Sequence, residues 1–256
     1  MKTDMSIQDY ESLNPHMEVA ANGEKMIFNT PNAQTAWRVS SLFEKEPDTI
    51  AWLESFQSDA VFYDIGANVG MYSVYSARVR GVQVLAFEPE SQNFALLNKN
   101  IFSNNLSGSI KAFPVALSDS MAFDSLFLSG FMSGGSCHNF GESVDFNDRP
   151  FKSTFEQGCF ALSLDTLIGD FGFPMPDYIK VDVDGLEHKV ISGAMNTIRS
   201  GVRSVLVEVN TLRNDHLQLV EKMEQLGFSW SQEQVNQFIR KSGPFEGTGN
   251  YIFYRD

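Results

Sequence analysis

Asp64, Gly66, Gly70 and Glu88 are the residues of this chain whose types and spacing point most directly at a ligand. They stand in VFYDIGANVGMYS (Val61 to Ser73) and VQVLAFEPE (Val82 to Glu90), two apolar runs that each end on a carboxylate. Glycines let the backbone take positive φ and approach a ligand closely. The Gly-x-x-x-Gly spacing departs from the Gly-x-Gly-x-x-Gly of dinucleotide sites, which argues against a nicotinamide or flavin dinucleotide oxidoreductase. Asp64 argues the same way, because a carboxylate at the turn repels a pyrophosphate and attracts an ammonium group. Glu88, a little over twenty residues on, sits where an acidic side chain accepts both hydroxyls of a ribose. Alone, Asp64 is equally a helix cap and Glu88 a solvated strand end. Together, an adenosine with a cationic amino-acid end describes S-adenosylmethionine.

Methyl transfer from a sulfonium is an in-line displacement, so the acceptor atom must lie behind the methyl and, where it is a hydroxyl, lose its proton. The residues with suitable chemistry are Asp182, Asp184, Glu187 and His188, then Glu208 and Asn210. Two mechanisms stay open. In one, Asp182, Asp184 or His188 is a general base with a pKa raised by burial. In the other, Asp182, Glu208 and Asn210 offer hard oxygens to Mg2+, which polarises the hydroxyl. Against both, Asp184 also suits the cap of a helix starting near Leu186, with Glu187 and His188 on its solvated face.

These residues need elements that end where they stand. Strand-like and helix-like runs alternate from Val61: VFYDI then MYSVYSARV, VQVLAFEPE then SQNFALLNKNIFSN opened by Ser91, SIKAFPVAL, DYIKVDV then LEHKVISGAMNTI, VRSVLVEV then NDHLQLVEKMEQL, and NYIFYRD. That alternation predicts a mostly parallel sheet with helices on both faces. Residues 118–176 are long for one crossover and predict a hairpin or flap and a short helix. Within them SGFMSGGSC (129–137) is a flap over the ligand or a plain turn, and Phe131 and Met132 line a pocket or the core. Before the sheet, apolar spacing in Gln34–Phe56 predicts two helices broken near Pro47, with Trp37 and Trp52 as core or ligand cover. Residues 1–33 are weakly periodic and read as a loose lead-in. The division expected is a helical lead-in, 1–57, and a main domain, 58–256. The glycines of GPFEGTGN turn the chain into the last strand.

The segments DIGANVGMYS, AFEPE, FPVALSD and IKVDVDGLEHKVISGA, with the closing GNYIFYR, resemble the FkbM family of class I S-adenosylmethionine-dependent methyltransferases. The resemblance implies a doubly wound, Rossmann-like sheet of about seven strands with the last antiparallel, and an insertion between the third and fourth. It implies that Asp64, Gly66, Ala67, Asn68, Gly70 and Tyr72 cradle the methionine end, with Asp182 nearby. Glu88 and Pro89 would hold the ribose, and Ala116 and Leu117, within Val115 to Asp119, would border the adenine. Family members mostly methylate hydroxyls of sugars and polyketide-type products. One departure bears on the chemistry: the family's Asp-x-Glu-Gly is here Asp182-Val183-Asp184-Gly185, with a shorter reach.

Composition sets the remaining bounds. The 256 residues, 43% hydrophobic and 20% charged, describe an ordinary globular protein. A net charge of −13 disfavours nucleic acid as a partner. Cys137 and Cys159, the only cysteines, form no CxxC motif and predict neither a redox nor a zinc role. No run reaches the length of a membrane span and MKTDMSIQDYESLN lacks an apolar signal core, so a cytoplasmic protein without membrane contact is expected. The reading is an O-methyltransferase for a small hydroxylated acceptor, most simply a saccharide or glycosylated metabolite, with homo-oligomerisation left open. Its rivals are an N- or protein methyltransferase, disfavoured because DVDGLE replaces an Asn-Pro-Pro-Tyr-like loop, and a non-catalytic binding module.

Overall fold

The computed structural model describes residues 5–255, so the first four residues of the lead-in and the last residue of the chain lie outside it. The lead-in is more ordered than its sequence predicts. It holds a helix α1 (Ile7–Ser12) and an antiparallel hairpin, β1 (His16–Ala21) with β2 (Glu24–Asn29). Asn22 and Gly23 form the connecting turn with φ of 52° and 81°, the left-handed pair that a tight hairpin requires. The two expected helices follow as α2 (Ala33–Ser40) and α3 (Pro47–Glu54). The Asn32 side chain caps α2 by accepting the Thr35 N–H, and Pro47 opens α3 at the position where a missing N–H costs nothing.

The alternation then runs as expected: β3 (Val61–Ile65), α4 (Met71–Arg80), β4 (Gln83–Phe87), α5 (Ser91–Ser103) and β5 (Ile110–Phe113). Glu90, not Ser91, caps α5, its carboxylate accepting the N–H groups of Gln92 and Asn93. Beyond Pro114 the chain leaves the main sheet. It builds a second sheet from β6 (Ala116–Leu117), β7 (Ala122–Leu128), β8 (Asn139–Phe140) and β9 (Phe155–Leu162), then the short helix α6 (Leu164–Gly169). This is the expected insertion.

The chain returns through β10 (Tyr178–Val181), α7 (Glu187–Ser192), α8 (Met195–Gly201), β11 (Ser204–Asn210), α9 (Asn214–Gln225), α10 (Gln232–Phe238) and β12 (Thr248–Tyr254). The single helix expected over Leu186–Ile198 is broken in two at Gly193. A Cβ there would lie 2.1 Å from the Ser118 carbonyl oxygen, so the insertion presses on the break.

The main sheet has the order β12-β11-β10-β3-β4-β5, parallel except for β12. It holds six strands, not about seven. The outer edge of β12 meets only an isolated bridge, Ser229 to Tyr254, where a further strand would run. Side chains alternate between two cores, as strand geometry demands. Phe62 and Val84 face a core shared with α3, α4, α5 and the hairpin residues Met26 and Phe28. Tyr63, Leu85, Ile179 and Val205 face the other, under the helices of the second half. Helices therefore cover both faces, and strand order reverses between β3 and β10.

Candidate active site

A cavity of about 470 Å3 opens at the carboxyl ends of β3, β4, β10 and β11, over the reversal where open α/β sheets bind ligands. Its first wall is the glycine turn. Gly66 has φ of 79°, and a Cβ on it would stand 1.8 Å from the Asp182 carbonyl oxygen. Glycine is thus what lets β3 and β10 close at their ends, independently of any ligand. Gly70, also at positive φ, begins α4 and touches Leu97 rather than the cavity.

Glu88 lies on the next wall, nearly buried at 5% exposure. Its carboxylate accepts the Asn68 N–H at 2.7 Å and the Glu90 N–H at 2.9 Å. Burial pushes its pKa up to about 8 despite those two bonds. Beyond it, Pro89, Val115, Ala116, Leu117 and Leu126 make an apolar slot.

The opposite wall carries Asp182, Asp184 and Glu208, whose environments separate them. Asp182 loses solvation, which alone would raise its pKa. Lys180, whose ammonium lies 2.8 Å away, reverses this and holds it down to about 2. Glu208 pairs with Arg240 at 3.0 Å, yet burial and the nearby Asp182 charge push it well above the usual carboxylate range. Asp184 takes part in no ion pair among the described residues. It accepts the Cys137 N–H at 2.6 Å, and burial with the Asp182 charge raises it to about 6.

The insertion roofs the cavity through the glycine-rich segment. Asn68 and Asn93 donate side-chain N–H groups to the Gly135 carbonyl at 2.6 and 3.1 Å, and Arg38 donates to the Gly134 carbonyl at 2.7 Å. The rim is completed by Gln34 and half-exposed Trp37 of α2 and by Phe245 from the loop before β12. Phe131 and Met132 are exposed and do not line the cavity, and Trp52 is buried in the core.

Four expected residues stand elsewhere. Asp64 lies beneath the turn at 1% exposure, with Oδ2 accepting the Ser73 hydroxyl at 2.5 Å and Oδ1 unpartnered among the described residues. It fills the face shared with Lys180 instead of the cavity wall, as does Gly70 with Leu97. His188 points to Asp215, 3.2 Å away, and Asn210 is spent locally, donating to Asn147 and accepting the Leu212 N–H. Helical geometry explains His188: the residue follows Glu187, which turns inward to accept the N–H groups of Val183 and Gly185. Ala67 and Tyr72 border a small recess beside the main cavity. Arg38, Lys45, Arg240 and Phe245 line the main cavity without a local motif to announce them.

The donor set fits S-adenosylmethionine. It offers an apolar slot for a base, a glutamate for a ribose, and cations beside anions for an amino acid. It does not fit Mg2+. Carboxylate oxygens of Asp182, Glu187 and Glu208 gather within 4.8 Å, but the charges of Lys180 and Arg240 already stand against Asp182 and Glu208, and backbone N–H groups hold Glu187. The trio His188, Asp215 and His216 is likewise engaged, since Arg213 forks onto Asp215 and the Asn210 N–H meets His216 Nδ1. Both cysteines are free thiols, and among the described residues no helix is long and apolar enough to cross a membrane.

A doubly wound sheet with an antiparallel last strand, a glycine turn and a glutamate at the next strand end defines the S-adenosylmethionine-dependent methyltransferase class. The chain belongs to the FkbM methyltransferase family: the model of the methyltransferase FkbM domain matches residues 64–230. It is similar to the hexuronic acid methyltransferase AglP of Haloferax volcanii, 26% identical over 76% of this chain and 74% of that protein. It is also similar to the 31-O-demethyl-FK506 methyltransferase FkbM of Streptomyces tacrolimicus, 27% identical over 68% of this chain and 74% of that one. Among solved structures, an FkbM methyltransferase from Methylobacillus flagellatus superposes with a TM-score of 0.52 at 15% identity. That match covers 78% of this chain and 44% of the solved one, so the chain spans less than half of that protein's length, and the likeness is one of fold.

Proposed function

We propose that the protein transfers a methyl group to a hydroxyl of a small acceptor, most simply a saccharide or a glycosylated metabolite, with Asp184 as the general base. The observation that carries this is the contrast among the three carboxylates of the cavity wall. Asp182 is neutralised by Lys180 and too weak a base at a pKa of about 2. Glu208 is held by the Arg240 guanidinium at 3.0 Å, which engages the oxygen a base would need. Asp184, raised to about 6 and in no direct ion pair among the described residues, is matched to proton removal near neutral pH.

S-adenosylmethionine, when bound, supplies an electrophilic methyl on its sulfonium. The protein's part is to hold a hydroxyl in line with it. Trp37 gives the rim a flat apolar face of the kind on which sugar rings stack, while Gln34 and Arg240 offer hydrogen bonds. Asp184 takes the hydroxyl proton as the bond forms. The insertion, pinned over the cavity through Gly134 and Gly135, excludes water. The names of the two curated relatives, one acting on a hexuronic acid and one on an oxygen of a natural product, support an oxygen acceptor.

The test is incubation of the purified protein with methyl-13C-labelled S-adenosylmethionine and a panel of neutral sugars, hexuronic acids, amines and peptides. A one-methyl mass gain on a sugar, with a carbon shift typical of an O-methyl ether, is expected. Labelling confined to amines or peptides would overturn the reading.

A further inference from the structure

We propose that Arg38 and Lys45, from the lead-in, bind the carboxylate of the amino-acid end of S-adenosylmethionine while Asp182, through the oxygen that Lys180 does not hold, faces its ammonium. The inference rests on the cofactor reading above and names a part of the site that lies outside the matched family region, residues 64–230.

Beside the main cavity lies a recess of about 50 Å3. Residues Gly66 to Val69 form one side of it, and Arg38, Ser41 and Lys45 the other. Arg38, Lys45, Gly66, Asn68 and Asp182 line both spaces, so the two adjoin. A ligand with its ribose at Glu88 therefore has its amino-acid end directed here.

The glycine turn has no donors left for an anion. The N–H groups of Gly66 and Ala67 both go to the Phe87 carbonyl at 3.0 Å, and that of Asn68 to Glu88. Val69 donates to the Asn68 side chain and Gly70 to the Ala67 carbonyl. Gly66 to Gly70 thus offer an arriving carboxylate no N–H group, and side chains on the facing wall are placed to meet it, since leaving it buried without donors is costly.

Those side chains are cationic. Arg38 uses Nε on the Gly134 carbonyl and takes part in none of the ion pairs among the described residues. The rest of its guanidinium is free for a forked contact with a carboxylate. Lys45 rests on Glu46 at 2.6 Å. Both cations occur in a chain of net charge −13, at a recess that adjoins the glycine turn and Asp182. A zwitterionic end needs a cation and an anion across a short gap, and this recess supplies both. The lead-in thereby becomes part of the cofactor site.

The experiment is calorimetric titration of the full chain with S-adenosylhomocysteine and with 5′-methylthioadenosine, which keeps the nucleoside and lacks the amino-acid end. Wild type, Arg38→Ala, Arg38→Lys and Lys45→Ala are compared. Loss of a charge-assisted bidentate contact predicts a Kd for S-adenosylhomocysteine raised about tenfold or more in Arg38→Ala, less in Arg38→Lys and Lys45→Ala. The Kd for 5′-methylthioadenosine is expected to stay at the wild-type value, which also shows that the variants are folded. Unchanged S-adenosylhomocysteine binding in Arg38→Ala and Lys45→Ala, or equal weakening of both ligands, overturns the clamp while leaving the cofactor reading standing. Failure of wild type to bind S-adenosylhomocysteine overturns the cofactor reading and the clamp with it.

Discussion

The ammonium of Lys180 stands 2.8 Å from Asp182 Oδ2 and is paired in register with Asp64 of the neighbouring strand, in a β10 that is otherwise apolar and fully buried. Burial alone would push the lysine's pKa down. The carboxylates of Asp182, Asp64 and Glu46 reverse that and hold it above its ordinary value. The cation therefore persists in the interior only with its partners in place. Asp182→Asn is expected to cost stability, toward the lower end of the roughly 3–5 kcal/mol typical of a broken buried pair, because Asp182 sits at the cavity edge. The double variant Asp182→Asn with Lys180→Met should recover most of that loss. Urea unfolding of the two single variants and the double one checks the coupling; additive losses would mean that the pair contributes no mutual stabilisation.

Gly66→Ala is a second structural test. The added Cβ would meet backbone, the Asp182 carbonyl at 1.8 Å, and the residue must also hold φ of 79°. Neither is relieved by a side-chain rotation, so a loss of about 3 kcal/mol or more is expected. Gly108→Ala, whose Cβ meets nothing within 4 Å, should change the melting temperature little. Comparable melting of the two variants would show that β3 and β10 can separate at this point without cost.

How much of this could be read from the sequence depended on whether the signal was local. The ends of β3 and β4 were legible because each is an apolar run closed by an acid, and Asp184 because it stands three residues beyond the end of β10. The hairpin of β1 and β2 carried a local signal too, Asn22-Gly23. The apolar side chains of β1, Met17, Val19 and Ala21, are only half-buried, and the alternation was correspondingly faint. Asp64 stands off the cavity wall, and the reason this was not legible is physical: a strand-end carboxylate looks the same in sequence whether it faces a cavity or a buried lysine one strand away. Arg38, Lys45 and Arg240 belong to the cavity through long-range packing, which spacing cannot reveal. The six-strand count likewise reflects α10 and a single Ser229 bridge where the resemblance implied another strand.

Glu88 makes a prediction about pH. Its carboxyl ionises near 4.5 in the unfolded chain and near 8 in the fold, so between these values the folded state binds the extra proton. Stability is then complete below about 4.5 and falls as pH rises toward 8. Asp184, raised to about 6, and Glu187, raised to about 7, act in the same direction. Glu88→Gln, which cannot ionise, should flatten this decline. Melting temperatures of both proteins from pH 5 to pH 8 measure it. Parallel curves would show that Glu88 is ionised in the fold.

The general base is tested by the pH dependence of turnover. With Asp184 as base, only its deprotonated form is competent, so kcat/KM should rise with pH and level off above about 6, the value its burial and the Asp182 charge set. Asp184→Asn should lower kcat about 10²–10⁴-fold and abolish that rise, the range general-base removal typically gives. Binding of S-adenosylhomocysteine should be retained, because Asp184 lies across the cavity from Glu88. The same pH limb in Asp184→Asn would transfer the role to another group. Glu208 is the one to examine next, since its raised pKa would move the limb to higher pH. A rise that survives Asp184→Asn and disappears in Glu208→Gln would then make Asp184 a residue that anchors the insertion through the Cys137 N–H, and not the proton acceptor.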